Sequence, residues 1–296
     1  MPGIDTLLSP PTVITLKIVG GEVRGSKTNG RVSFPLCGEF VKTKKEENHL
    51  LITLDNPPVN AMSPKMLEEL EAAIKQGNDD GQVYGLVITG SGNNAFCAGA
   101  DLKAMQNLEP GDALGFVSAG QRVYSAVEES PKPVIAAING LALGGGNELA
   151  MSCDIRFASD RARFGQPEVN LGLIPAWGGT QRMSRLIGRA KAKELIFSGQ
   201  IISAQEALRL GLVNKIVPDG EEVRAATDYI RMLSAKSSPL AVSLAKSAIN
   251  KGLQKASMQE ALQFELDAVK VLAASEDLRE GILAFLEKRP PKFTGK

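Results

Sequence analysis

Pro133-Val134-Ile135-Ala136-Ala137-Ile138-Asn139-Gly140-Leu141-Ala142-Leu143-Gly144-Gly145-Gly146-Asn147-Glu148-Leu149-Ala150 decides the fold class, because it sends an apolar strand into a glycine-opened helix. Val134 to Ile138 is the strand, and Gly144, Gly145 and Gly146 stand at the mouth of the helix. Glycines there let a ligand approach the backbone closely, and the first turn of any helix carries N–H groups without intrahelical partners. Glu148 follows inside that turn. As a helix-dipole partner such an acid is worth a few tenths to about 1 kcal/mol; the other reading is chemistry. A second acid, Glu168, sits in Phe164-Gly165-Gln166-Pro167-Glu168, with Gly172-Leu173-Ile174-Pro175 just behind it. Either acid alone reads equally well as structural, Glu148 in a helix's first turn and Glu168 solvated in a loop, or as catalytic. Two in such settings point to a carboxylate-driven active site.

Strands and helices alternate outward from this stretch. Residues 50–54, 83–89 and 155–158 are short strand-like runs, and 90–94 is a turn. Ser63-Pro64 is an N-cap followed by proline at the first helical position, and Met66, Leu67, Leu70, Ala73 and Ile74 share one face of the helix it opens. Another helix is predicted over about 113–128. This alternation predicts an α/β fold with a mostly parallel sheet and crossover helices. The last third is helical. Ser203-x-x-Glu206 and Ser257-x-x-Glu260 read as capping boxes, and Ser238-Pro239 repeats the cap-then-proline signature. Helices are expected near 204–210, 221–235, 239–251, 257–274 and 276–288, with one strand at 212–217. So many helices cannot all cover one sheet, which leaves some to pack against other subunits.

The first forty residues differ from the rest. Residues 1–38 are rich in Gly, Pro, Ser and Thr, with one β-prone stretch at 13–19, and lack the pattern of a secretory signal. An added β element, a disordered arm and a non-native extension all stand open, and an accessory or non-native segment is the preferred reading. The expected division is therefore an atypical arm over 1–39, a core over 40–235 and a helical region over 236–296.

Composition narrows the function classes. A chain of 296 residues with 43% apolar content can bury one large core or two modest ones. A formal charge of +1 offers no electrostatic grip on nucleic acid. The apolar runs are too short to cross a bilayer. Cys37, Cys97 and Cys153 are scattered and odd in number, which argues against a disulfide framework or a zinc site and fits a reducing cytoplasm. Cys97 and Cys153 read as small core residues. The single histidine, His49, reads as an ordinary residue near the first strand, and any histidine triad or multi-histidine metal site would depend on it alone.

Gly90-Ser91-Gly92-Asn93-Asn94-Ala95 matches a dinucleotide fingerprint, yet no helix-forming run follows it and no acid closes a second strand about twenty residues on. A nicotinamide cofactor is set aside. Phe96-Cys97-Ala98-Gly99-Ala100-Asp101-Leu102-Lys103 is more telling. Its small residues leave backbone N–H groups open at the start of a short helix, with Asp101 as that helix's N-terminal acid. The glycine-opened helix offers the same device through the Gly145 N–H. Two such groups converging on one point would hold a carbonyl oxygen on which negative charge develops.

With these landmarks in order, the chain resembles the enoyl-CoA hydratase/isomerase (crotonase) superfamily. The resemblance runs from about residue 40 to 296 through Asn56-Pro57-Pro58-Val59-Asn60-Ala61, FCAGADLK (96–103), PVIAAINGLALGGGNELAMSCDIRFA (133–158), FGQPEVNLGLIP (164–175) and GGTQR (178–182). It ends with Ser203-Ala204-Gln205-Glu206-Ala207, Gly211-Leu212-Val213 and Phe285-Leu286-Glu287-Lys288-Arg289. It implies a spiral of ββα turns followed by a helical trimerisation region, assembled as a homotrimer or a dimer of trimers.

Carried over residue by residue, the resemblance implies an oxyanion hole at the N–H groups of Ala100 and Gly145 and a catalytic pair at Glu148 and Glu168. Isomerase members keep an acid matching Glu168, whereas hydration needs both, so an enoyl-CoA hydratase is implied. Glu148 would be base toward water and Glu168 the acid toward Cα. Ala176, where many hydratases have glycine, would offer a further N–H to that water, and Trp177 beside it bears on the acyl-chain preference as a pocket wall or a packing aromatic. Coenzyme A, as part of the substrate, would lie along Val59, Ala61, Ala98 and Leu102, with Phe285 and Lys288 toward the nucleotide or pantetheine arm; no separate cofactor or metal is implied. Alternatives are a hydratase for a branched or cyclic substrate (methylglutaconyl-CoA or a cyclic dienoyl-CoA), a Δ3,Δ2-isomerase, or, from another class, a non-catalytic or RNA-binding moonlighting protein. Near-neutral charge and the absence of a basic–aromatic stripe argue against RNA.

Overall fold

The computed structural model describes residues 38–106 and 109–296, so nearly all of the expected arm over 1–39 lies outside the described residues. The described chain opens with a hairpin of β1 (Val41–Glu46) and β2 (His49–Leu54), followed by helix α1 (Pro64–Asp79). Three turns of one motif come next. In the first, β3 (Gly85–Gly90) and β4 (Ala95–Cys97) lead to α2 (Leu102–Met105) and α3 (Pro110–Glu128). In the second, β5 (Val134–Ile138) and β6 (Leu141–Leu143) lead to α4 (Gly145–Ser152). In the third, β7 (Ile155–Ser159) and β8 (Arg163–Gly165) lead through a 3-10 turn (Pro167–Leu171) to α5 (Gly179–Ile187) and α6 (Arg189–Ser198).

The first strand of each turn enters a larger sheet and the second a smaller one. With the hairpin and β10 (Lys215–Val217), the larger sheet has the order β1-β2-β3-β5-β7-β10, parallel except for the β1–β2 pair. The smaller has the order β4-β6-β8-β9, where β9 (Ile202–Ser203) pairs antiparallel and the others parallel. Stacking these turns winds the ββα spiral.

Side-chain alternation explains why the larger sheet is buried on both faces. Leu50, Ile52, Leu86, Ile88, Val134, Ala136 and Ile138 face the main core, shared with α1, α3 and α4. Val87, Ile135, Ala137 and Phe157 point the other way, against Ala226 and Ile230 of α8 (Glu222–Lys236). Period-two strands covered on both faces read in sequence as continuous apolar runs. Strand β1 is the exception: as an edge it carries VKTKKE, and edge lysines discourage pairing with other chains. Asn139 ties the two sheets together. Its side-chain amide donates to the carbonyls of Gly90 (3.0 Å), Gly92 (2.9 Å) and Ala95 (3.3 Å), and its oxygen accepts from Gly90 N–H (3.2 Å). Arg156, 4% exposed, closes α4 by donating to Ala150 O and Cys153 O, and reaches Leu212 O as well.

The tail comprises α7 (Ala204–Leu210), α8, α9 (Pro239–Gly252), α10 (Met258–Ala273) and α11 (Glu276–Leu286). Ser203, Ser238 and Ser257 accept hydrogen bonds from the backbone of Glu206, Ala241 and Glu260, the caps predicted from sequence. Strand β10 is shorter than the expected 212–217, because Leu212 and Val213 pack into the core ahead of it. Nothing in α9 or α10 is buried, and Leu253, Met258, Leu266 and Phe285 are among the exposed apolar side chains of the tail. Among the described residues no helix is long and apolar enough to cross a membrane.

Candidate active site

Glu148 and Glu168 line one narrow cleft of about 140 Å³ between the mouth of α4, the 3-10 turn and α3. Glu148 is 2% exposed in the first turn of α4, whose eight residues are all buried. Its Oε1 accepts from Trp177 N (2.8 Å) and Gly179 N (2.6 Å), so the carboxyl sits at the N-terminus of α5. Two N–H groups and a helix N-terminus favour the anion there. Oε2 has no hydrogen-bond partner among the described residues.

Glu168 lies in the 3-10 turn and is partly buried. A methyl on Gly144 would come 3.1 Å from its Oε1, so the carboxyl abuts the cap of α4. That cap has φ 53° and ψ −126°, a conformation glycine alone adopts readily. Gln166, fully buried, supports both: with its amide oriented to suit its neighbours, its nitrogen donates to Glu168 Oε1 and to Gly144 O, each at 3.1 Å.

Burial pushes Glu148 up to about 8, against its hydrogen bond from Gly179 and reinforced by the nearby Glu168. Burial likewise lifts Glu168 to about 6. This order is opposite to that expected for a Glu148 base and a Glu168 acid in the free protein. Carboxyls this close titrate as a pair, so the quantity that matters is the single proton the two hold together near neutral pH.

Beside the acids stand the two predicted N–H groups. Ala100 is paired to Met62 by an isolated bridge in which Gly99 O accepts from Met62 N and Met62 O accepts from Asp101 N. The Ala100 N–H is left over, and neither it nor the Gly145 N–H has an acceptor among the described residues. The two are neighbours: a Cβ on Gly145 would lie 3.6 Å from Ala100 N, and one on Gly99 3.5 Å from Gly145 N. Asp101 is the N-cap of α2, accepting from Lys103 N and Ala104 N, the N-terminal acid expected from sequence.

The other expected residues divide. Ala98, Leu102, Ala176 and Trp177 line the cleft. Val59 and Ala61 do not line it: Val59 O accepts from N of the lining residue Ala98 at 3.0 Å, and Ala61 O accepts from Asn56 Nδ2 at 2.6 Å. Phe285 is 82% exposed and lines a separate groove with Leu272 and Phe293, and Lys288 lies just past α11 with φ 54°; neither lines the cleft within one chain. Cys97 and Cys153 are buried thiols raised by that burial to about 12, as unreactive core residues are. His49 is fully buried at the start of β2, its ring 3.7 Å from Glu46, and burial lowers its pKa.

Residues the sequence did not single out brace this arrangement. Arg182 donates to Trp177 O (2.9 Å) and twice to Glu128 Oε2 (3.0 and 2.7 Å), tying the loop that holds Glu148 to α3. Gln121 reaches the Ala176 carbonyl from α3 at 2.7 Å. The GGTQR motif contained Arg182, but nothing local marks Glu128 as its partner 54 residues away.

Chains of known type share this architecture. Residues 44–296 match the family described as enoyl-CoA hydratase/isomerase. A crotonyl-CoA hydratase of Syntrophomonas wolfei is 45% identical over 259 residues, spanning 87% of this chain and 99% of that one. A short-chain-enoyl-CoA hydratase of Clostridium acetobutylicum is 44% identical over 247 residues, 83% of this chain and 94% of the other. Among solved structures, an enoyl-CoA hydratase from Bacillus anthracis superposes with a TM-score of 0.84 at 40% identity, covering 87% of this chain and all of that one. On sequence and fold together, the chain belongs to the enoyl-CoA hydratase/isomerase family.

Proposed function

We propose that this chain is an enoyl-CoA hydratase, which adds water syn across a 2-enoyl-CoA thioester to give a 3-hydroxyacyl-CoA, and reversibly so. The observation that carries the reading is the convergence of two carboxyls and two unused N–H groups on one cleft. The thioester oxygen lies between the Ala100 and Gly145 N–H groups, which draw charge from the conjugated alkene and stabilise the enolate as it forms; losing one such donor typically costs about 3 kcal/mol. Water sits over Cβ between the two carboxyls. With one proton between them, one carboxylate removes a proton from water as oxygen bonds to Cβ, and the other carboxyl gives its proton to Cα. Glu148, its Oε1 steadied by two N–H donors, acts as the anion once substrate fills the cleft, and Glu168 is the acid.

Coenzyme A runs along Val59, Ala61, Ala98 and Leu102, and the reaction uses no other cofactor. Exposed apolar side chains on α9, α10 and α11 support a homotrimer or a dimer of trimers. The second glutamate in the cleft favours hydration over double-bond migration, for which one proton shuttle is enough. The test is loss of crotonyl-CoA absorbance with wild type, Glu148→Gln and Glu168→Gln. Each variant should lower kcat by at least about a hundredfold, the scale of lost acid–base catalysis. Wild-type turnover by either folded variant would falsify the two-carboxylate mechanism.

A further inference from the structure

Trp177 occupies a position that the reaction itself does not explain. Its backbone N–H binds Glu148, yet its side chain, 4% exposed, forms part of the cleft wall. The indole spans the gap between two helices. A Cβ on Gly145, at the mouth of α4, would fall 2.4 Å from its Cζ3, and one on Gly120, within α3, would fall 2.3 Å from its Nε1. Glycine in a helix interior is costly against alanine, and at position 120 the indole takes the space a side chain would fill. Two edge-to-face contacts lock the ring: Phe116 at 5.1 Å and 88°, and Tyr124 at 5.5 Å and 81°. Behind it Tyr124 is fully buried, so what lies beyond the indole is packed core and not solvent.

We infer that the Trp177 indole is the inner wall of the acyl site and restricts this enzyme to short acyl chains. The inference rests on the hydratase reading above. A chain whose carbonyl sits at the Gly145 N–H and whose alkene lies between the glutamates reaches the ring within a few carbons, since the ring packs against Gly145 itself. Longer chains must displace an aromatic cluster wedged between α3 and α4. The selectivity is therefore set by a rigid wall, through the difference in fit between chain lengths.

The experiment measures kcat/KM for 2-enoyl-CoAs of four, six, eight and ten carbons with the full chain, as wild type, Trp177→Leu and Trp177→Phe. Inhibition constants of saturated acyl-CoAs of the same lengths are measured alongside, as a binding readout independent of turnover. Wild type should lose at least about tenfold from four to eight carbons, because a single misfit methylene in an apolar pocket already costs that order. Trp177→Leu should shrink this ratio by about tenfold, and Trp177→Phe, which keeps an aromatic contact and so protects the fold, should shrink it by less. An unchanged length profile in the folded variants overturns the wall, as does a wild type that prefers eight carbons to four. If wild type hydrates no chain length while still binding acyl-CoAs, the hydratase reading falls and the inference falls with it.

Discussion

Replacing Glu148 by glutamine should stabilise the protein, and more so as the pH rises. The variant keeps the side chain's shape and an oxygen for the Trp177 and Gly179 N–H groups, but it removes a carboxyl that is 2% exposed and pushed from an ordinary 4.5 to about 8. Below pH 4.5 the carboxyl is protonated in both the native and the unfolded wild type, so it contributes no pH dependence there. Between 4.5 and about 8 the native protein keeps a proton that the unfolded chain has released, and wild-type stability falls as pH rises through that window. Above about 8 both states are ionised and the loss is complete. The full separation corresponds to roughly 5 kcal/mol. Sharing of the proton with Glu168 and relaxation of the cleft should reduce the observable part to about 2–4 kcal/mol. Urea unfolding of both proteins at about pH 5, 7 and 9, at one protein concentration, gives the difference directly. The variant's advantage should grow by that amount from the acidic to the alkaline end. Parallel stability curves, within about 0.5 kcal/mol across the range, would refute burial as the source of the raised carboxyl.

The same pair should give wild-type kcat/KM a bell-shaped pH profile with limbs near 6 and 8, since only the singly protonated pair carries both an acid and a base; a rate that stays flat from about pH 5 to 9 would contradict this. Gly146→Ala would place a Cβ 1.8 Å from the Cys97 carbonyl oxygen, a backbone atom that cannot swing aside. It should cost about 3 kcal/mol or more in thermal or chemical unfolding, and wild-type stability would show that α4 and β4 can separate freely. Deleting residues 1–37 should leave hydration of crotonyl-CoA unchanged, as the family match starts at residue 44; loss of activity in a folded truncate would give the arm a role.

The parts of the fold legible in sequence are those whose physics is local. Strands β3 and β5 lie inside parallel sheet and announce themselves as apolar runs, β7 less plainly because Arg156 interrupts it, and the caps of α1, α7, α9 and α10 show as serine at the right spacing from Pro64, Glu206, Pro239 and Glu260. The smaller sheet was not legible. Its strands AFC, LAL and RFG are three residues long, shorter than any alternation can be read from, and their pairing is set by the spiral. Helices α5 and α6 escaped for another reason: Met183, Leu186 and Ile187 in one and Ala192, Leu195 and Ile196 in the other are helically spaced, but each helix opens on a glycine with no side-chain cap to mark its start. At the site, Glu148, Glu168 and Gly145 stood out by their glycine-rich surroundings, whereas Ala100 was named by the family resemblance of the small-residue run around it. Gln166, Glu128 and the stacking of Trp177 on Phe116 and Tyr124 did not, because these are ordinary residues whose roles come from distant partners.

The side-chain clamp at Asn139 bears on how this protein ages. Asn139-Gly140 is a dipeptide chemically prone to losing its amide nitrogen, and hydrolysis would leave a carboxylate where the amide now faces the carbonyls of Gly90, Gly92 and Ala95. Three acceptors pointed at an anion would repel it, and the junction of the two sheets would part. In the native fold the side chain is 5% exposed, with both ends bonded, so the backbone attack that starts the reaction has neither the room nor the freedom to proceed. Damage at this site must await an excursion that opens the junction. Its rate on storage therefore reports how often the two sheets come apart, and a chain once deamidated there would not close again.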